Sequence, residues 1–286
     1  MNTLFLREHN RVAGVIAQAH PEWDDERVFQ TTRNCLIVIL IKVVIGDYIK
    51  QISNVPIFLP EPGFADKKEW YKTNWMSVEF ALLYRWHDLI PSTFLMAGET
   101  RNSKYMMNNN SLLLEAGAGQ ALIDVSSQKA GRMGLGNTPD FLQQVTKLSL
   151  TMARTTKLQP YVSYCKEYGL DAPKSFEDLT GEKTVAAKLE ALYGSVDKME
   201  WFVGLYAAKR TSEDGFSSQM MTYMVANDAV TQALTNPLLH HRVYNEKTFS
   251  PEGLVIVEET LTMAQIIIRN TSVDDKALVG FPFDRE

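Results

Sequence analysis

Cysteine is nearly absent from these 286 residues: Cys35 and Cys165 are the only two. Two thiols cannot build a disulfide framework or a zinc ribbon, and they read as unrelated buried side chains. Charge of one sign is lacking too. The chain carries 29 basic and 34 acidic residues, a net charge of −5, so no nucleic-acid partner held through its phosphates is expected. The longest apolar run, Leu36 to Ile45, is broken by Lys42 and falls short of the roughly 20 residues that span a bilayer. It reads as a buried central helix, and no transmembrane segment is expected. Met1 to His9 has no basic region, apolar stretch or small-residue cleavage site of a secretory signal, which favours the cytoplasm for the chain as it stands. Alternating strand patterns are scarce, and there is no repeat or low-complexity linker. A composition of 45% hydrophobic and 22% charged residues excludes a disordered chain.

Helix punctuation, by contrast, is abundant. Asp24 or Asp25 can cap a helix running from about Arg27 to Ile52, with acidic residues in its first turn. Ser111 can open a helix that Gly131 closes. Thr138 places a capping oxygen before Pro139, followed by apolar Phe141, Leu142 and Val145. Thr184 to Tyr193 ends at Gly194, a C-terminal stop. Ser250-Pro251-Glu252 opens a run to about Arg269. Breakers gather at Asn54 to Pro62 and Asn236 to Pro251, which read as surface connections. These signals predict a mainly α fold in one globular unit.

Chemistry concentrates in Phe80-Ala81-Leu82-Leu83-Tyr84-Arg85-Trp86-His87-Asp88-Leu89-Ile90-Pro91. Tyr84 and His87 are three apart and would share a helix face. A neutral imidazole there could ligate iron, and a phenol one turn away could exchange an electron and a proton with the same cofactor. The same pattern is equally that of a histidine in an aromatic helix with no cofactor.

Tyr84-x-Trp86-His87 followed by Leu89-x-Pro91 resembles the proximal haem helix of the peroxidase–cyclooxygenase superfamily, the animal-type haem peroxidases. Leu6-Arg7-Glu8-His9-Asn10-Arg11 is similar to a helix those enzymes share. His20-Pro21-Glu22-Trp23, Phe29-Gln30-Thr31-Thr32-Arg33, Ser175 to Lys183 and Leu189 to Gly194 are similar to ordered stretches of the cyclooxygenases. Tyr-Arg-Trp-His is similar to fungal and bacterial fatty-acid dioxygenases. The resemblance covers essentially residues 1–286 and implies a mainly α, haem peroxidase-type catalytic domain, represented by its C-terminal, proximal-side portion. It implies haem b (iron protoporphyrin), with His87 as axial iron ligand and Tyr84 as the residue that, once oxidised, abstracts hydrogen from a bound fatty acid. Hydrogen peroxide or O2 would be the co-substrate. Trp86 would pack the porphyrin edge and Arg154 would contact a haem propionate. Tyr48, Ile52, Ser53 and Phe80 would line the lipid channel.

Some positions depart from the family pattern. The distal histidine of the family lies upstream of the Leu6 to Arg11 helix, so an N-terminal portion, separately encoded or missing from the gene, is expected. His9 belongs to the helix itself; His20, His240 and His241 read as surface or loop residues. The adjacent pair His240-His241 is discounted as a metal site, because neighbours do not converge on a helix. Val55 stands where the cyclooxygenases place a channel-mouth tyrosine, Asp228 or Ala229 where some carry a serine, and Phe202 where they carry a tyrosine. Prostaglandin synthesis is therefore not implied, whereas lipid oxygenation is. Gly134-Leu135-Gly136 follows no strand and reads as a turn. Two other readings stay open: a simple haem peroxidase acting on small donors, and a non-catalytic fragment or half of a split enzyme.

Overall fold

A computed structural model describes residues 1–49, 61–71, 75–211 and 218–274. Helix α1 (Asn2–Ala19) buries Leu4, Glu8, Val12 and Ile16, a stripe at four-residue spacing. Helix α2 (Asp25–Val43) is capped as its sequence predicts, Asp24 Oδ1 accepting the Arg27 N–H at 2.8 Å. It runs on into a wider π-helical turn, Val44–Tyr48. The helix is not enclosed on all sides, as its apolar run suggested: Cys35, Val38, Ile39, Val43 and Ile45 are buried, but Leu40 is 45% exposed. Asp25–Tyr48 as a whole, unlike its unbroken run, is long and apolar enough to cross a bilayer by length and composition. Here its buried side packs against other helices. Lys42, the residue that breaks the run, donates from Nζ to the carbonyls of Val257 and Glu258, which end another helix and favour a cation.

The short helix α3 (Val78–Leu83) is capped by Ser77, whose hydroxyl accepts the Phe80 N–H at 3.0 Å. A 3-10 turn, His87–Leu89, leads into an antiparallel hairpin, β1 (Thr93–Met96) and β2 (Glu99–Asn102), with Met96 opposite Glu99. The helix expected from Ser111 to Gly131 is in fact two, α4 (Ser111–Ala116) and α5 (Ala118–Ser126). Gly117 separates them at φ +76°, which no helix contains. Thr138 does not cap the next helix: a 3-10 turn, Asp140–Leu142, precedes α6 (Gln143–Thr155), and the Thr138 hydroxyl is used elsewhere.

Helices α7 (Tyr161–Glu167), α8 (Phe176–Thr180) and α9 (Lys183–Tyr193) follow, α9 stopping at Gly194 as predicted. Then come α10 (Trp201–Ala207) and α11 (Gln219–Met224), whose π-helical continuation Val225–Val230 leads to α12 (Thr231–Leu234). After α13 (Glu246–Phe249), the single helix expected from Ser250 is again two, α14 (Pro251–Glu259) and α15 (Met263–Asn270). A reciprocal capping box restarts the chain: Thr262 Oγ1 accepts the Gln265 N–H, and Gln265 Oε1 accepts the Thr262 N–H at 3.0 Å. Nor is Asn236 to Pro251 wholly a surface connection, because Phe249 and Ser250 are buried. The Cys35 thiol lies 3.7 Å from the Phe249 carbonyl.

Among the described residues two larger apolar cores organise most of these helices, and a small third one joins Phe94 and Met96 of the hairpin to Leu112 and Ala121 of α4 and α5. Of the larger two, one gathers Leu82, Leu83, Tyr161, Met199, Trp201, Leu205 and Met220 from α3, α7, α10, α11 and the approach to α10. The other gathers Val12, Ile16, Cys35, Val38, Ile39, Phe249, Val257 and Ile266 from α1, α2 and α13–α15. Burial pushes the Cys35 thiol up to about 12 and the Cys165 thiol up to about 11, so both stay protonated packing groups.

In the first core Tyr161 lies flat on Gly204. A Cβ at Gly204 would meet the Tyr161 ring at 2.3 and 2.5 Å. Gly204→Ala should therefore cost about 1–3 kcal/mol by overpacking, read as a lowered denaturation midpoint; an unchanged midpoint would contradict this packing. In the second core Glu8 is fully covered and bridges Arg11 and Asn270. Burial alone would raise its carboxyl, but hydrogen bonds from Arg11 and Asn270, with the charges of Arg11 and Arg269, hold it below the usual 4.5. A depressed native value supplies stability above the unfolded value that disappears as pH falls through the native one. Denaturation measured from pH 7 downward should lose this component in the wild type below about pH 4.5, and Glu8→Gln should lack it.

Candidate active site

The site forms where α3 stops. Tyr84 is its first residue past the helix, at φ −85° and ψ 20°. The Arg85 N–H closes a tight turn on the Leu82 carbonyl, and the Arg85 carbonyl accepts both the His87 N–H at 2.9 Å and the Tyr206 hydroxyl at 2.9 Å. That carbonyl is thus drawn out of any continuing helical ladder. Tyr84 and His87 consequently do not share one helix face, contrary to their spacing; a helix end and a short turn set their relation.

Aromatic side chains surround Tyr84. Its ring lies 5.0 Å from Phe80 and 4.6 Å from Trp86, the latter stacked at 25°. Trp86 in turn stacks on Tyr48 at 6.3 Å and 18°. Tyr48 arrives from the π-helical end of α2, where Asp47 Oδ2 accepts the Met263 N–H at 2.6 Å and fixes the turn against α15. The stack therefore joins the end of α2 to the residues just past α3. Burial, and then the Asp228 carboxylate, push the Tyr84 phenol up to about 12. Burial, and then Tyr84, likewise raise Tyr48. Both phenols keep their protons at neutral pH.

His87 is half-buried. Burial, and then the positive charge of Arg85, hold its imidazole below the ordinary range, with Asp88 working against them. Its ring nitrogens make no hydrogen bond among the described residues. A neutral imidazole with an uncommitted nitrogen fits an axial iron ligand. Arg85 itself turns away, its Nη1 lying 3.2 Å from Ser149 Oγ on α6.

The residues expected to act are only partly assembled. Tyr48, Phe80, Tyr84 and Trp86 come together, one short turn from His87. Ile52, Ser53 and Val55 lie outside the described residues. Arg154 is not brought into the group: its guanidinium is 61% exposed and held at both ends by Glu200, at 2.5 and 3.0 Å. Glu200 also accepts the Tyr193 hydroxyl. His20 stacks on Trp23 at 4.1 Å and reaches Glu252 at 3.0 Å. His240 and His241 are not on a helix and do meet, with Asp66. Asp66 Oδ2 lies 2.7 Å from His241 Nδ1 and 3.5 Å from His240 Nε2. The two rings are stacked at 4.5 Å and 26°, and one nitrogen of each faces the same carboxylate oxygen, so the pair is brought together despite being adjacent in the chain.

Sequence reasoning missed Asp88, Gly131, Thr138 and Tyr206 as parts of this site. Asp88 adjoins His87 in the chain and could have been noticed. Tyr206 is 121 positions from Arg85, and nothing local announces that contact.

Comparison with known proteins gives the chain's family and fold relatives. The family model for animal haem peroxidase matches residues 1–279. The chain is 38% identical over 270 residues to prostaglandin G/H synthase 2 of Equus caballus, covering 94% of this chain and 44% of that protein. Fatty acid alpha-dioxygenase of Oryza sativa shares its fold with a TM-score of 0.80 at 21% identity, over 97% of this chain and 54% of that one. Peroxidase A of Dictyostelium discoideum does so with a TM-score of 0.73 at 22% identity, over 96% and 55%. The chain thus spans about half the length of the proteins it matches. With its family model fitted to nearly every residue, the chain belongs to the animal haem peroxidase family, enzymes that work with a haem cofactor.

Proposed function

We propose that His87 is the axial ligand of a haem b iron, and that Tyr84 is the radical residue of a fatty-acid oxygenase with associated peroxidase activity, using hydrogen peroxide or O2. The observation that carries this reading is the pairing of a neutral, uncommitted imidazole with a protonated phenol set in an aromatic stack one short turn away. When bound, the haem supplies the oxidising power that amino-acid side chains lack.

His87 contributes the lone pair that its neutral state keeps available. Tyr84 contributes a phenol whose proton is retained at neutral pH, so removal of one electron and one proton leaves a neutral tyrosyl radical. That radical oxygen takes a hydrogen atom from the acyl chain, restoring the phenol; O2 adds to the carbon radical left behind, and the resulting peroxyl radical takes a hydrogen atom back from the Tyr84 phenol, giving the hydroperoxide and regenerating the tyrosyl radical. Trp86 packs the cofactor edge and holds the Tyr84 ring by stacking. Phe80 and Tyr48 form part of the wall of an acyl channel in which burial contributes roughly 0.8 kcal/mol per methylene; the channel roles expected of Ile52 and Ser53 fall outside the described residues. The prostaglandin G/H synthase relatives and the fold shared with a fatty acid alpha-dioxygenase support the lipid substrate over a small donor.

Tyr84→Phe should abolish oxygen uptake with a fatty acid while peroxidase turnover of a small donor persists. Oxygen uptake unaffected by the substitution would favour the simple peroxidase and reject the radical role. His87→Ala, titrated with haemin, should lose the absorption band of a histidine-ligated haem that the unsubstituted chain gives. An identical band in both would remove His87 as the ligand.

A further inference from the structure

The turn that carries His87 is braced at its start, middle and end by groups that have no part in the proposed chemistry. At its start the Tyr206 hydroxyl, from α10, donates to the Arg85 carbonyl at 2.9 Å. In its middle the buried Asp88 carboxylate accepts the Thr138 hydroxyl at 2.5 Å and the Gly134 N–H at 3.3 Å. At its end the Gly131 N–H donates to the Leu89 carbonyl at 2.8 Å. Gly131 also lies so close that a Cβ there would stand 2.3 Å from the Asp88 carbonyl oxygen and 3.1 Å from the Leu89 carbonyl carbon.

The imidazole, in contrast, has no hydrogen-bond partner among the described residues. A metal-bound histidine is ordinarily oriented through its second ring nitrogen, by a carboxylate, carbonyl or water. Here the carboxylate nearest in sequence is spent on the loop 131–138. A cleft of about 730 Å³ on one side of this network and a cavity of about 140 Å³ on the other both include Asp88 and Tyr206 in their walls. Open space therefore adjoins the turn at Asp88 and Tyr206, and the braces add to the turn's own hydrogen bonds, from the Leu89 N–H to the Trp86 carbonyl and from the Ile90 N–H to the His87 carbonyl.

We propose that Asp88 is a positioning residue for His87, setting the direction of the axial imidazole through the backbone of the turn, with Thr138, Gly131 and Tyr206 as its supports. This inference rests on the reading of His87 as the haem ligand. Removal of the brace leaves the imidazole its lone pair but not its fixed direction.

The test uses the full chain loaded with haemin and reduced, read by the iron–histidine stretching band in resonance Raman, with haem affinity measured alongside. Asp88→Ala should shift and broaden that band and weaken haem binding about ten-fold, the lower end of what loss of an outer-shell partner costs a metal site. Asp88→Asn keeps an acceptor oxygen for only one of the two donors, since Thr138 and Gly134 use different carboxylate oxygens, and should restore part of both. Thr138→Val and Tyr206→Phe each remove one brace without changing the shape of the side chain, and should shift the band in the same sense, so the test survives if Asp88→Ala fails to fold. A band unchanged in position and width in Asp88→Ala, Thr138→Val and Tyr206→Phe alike overturns the positioning role. His87→Ala separates the two readings: if the histidine band persists in that variant, the ligand assignment itself falls.

Discussion

The structure of the site depends on where α3 ends. Six residues of helix deliver Phe80 and Tyr84, and the chain then leaves the helix because the Arg85 carbonyl is claimed by the Tyr206 hydroxyl and the His87 N–H. Had the helix continued, Tyr84 and His87 would lie one above the other along its axis. The stop turns Trp86 back onto Tyr84, and sets His87 on a 3-10 turn. A helix end held by side chains from elsewhere has few other contacts to define it, so its geometry is only as fixed as those partners are.

Those partners come from the first core. Tyr206 belongs to α10, whose neighbours Trp201, Leu205 and Tyr161 are almost wholly covered. Close packing of that kind transmits displacement rather than absorbing it, so the hydroxyl of Tyr206 is a firm anchor. The continuation of α2 also reaches the site. Its contribution is Tyr48, carried on a π-helical turn that is tied to α15 through Asp47. The wider turn is a local departure of a kind that π-bulges often make at functional positions. Its consequence here is concrete: Tyr48 stacks on Trp86, and the aromatic group links the end of α2 to the residues past α3.

Much of the architecture was legible in the residues. The Asp24 cap, the stop at Gly194 and the mainly helical class follow from local chemistry, and so does the burial of two unreactive thiols. What failed was continuity. Apolar spacing through Gly117 and through Thr260 to Thr262 looks helical, yet a positive φ in one place and a capping box in the other divide each run. The connection around Phe249 looked superficial because its breakers are polar, but its aromatic ring completes the second core. The helical rule that keeps adjacent side chains apart does not apply to His240 and His241, since both sit beyond the Pro237–Leu239 turn, where each reaches Asp66. Arg154 is paired with Glu200, a contact 46 positions along the chain that no local pattern announces.

By itself the sequence determined the family, the mainly α class and the identity of the two residues on which the chemistry is proposed to turn, because side-chain type and short-range order are written directly in it. Only the tertiary structure decided how those residues face one another. The helix end, the Asp88 brace and the Tyr48 stack each join positions far apart in the chain, and a contact of that kind leaves no periodicity or spacing to read. Asp88 shows the division most plainly. Its place beside His87 is a fact of sequence, while its commitment to Thr138 and Gly134 is a fact of folding.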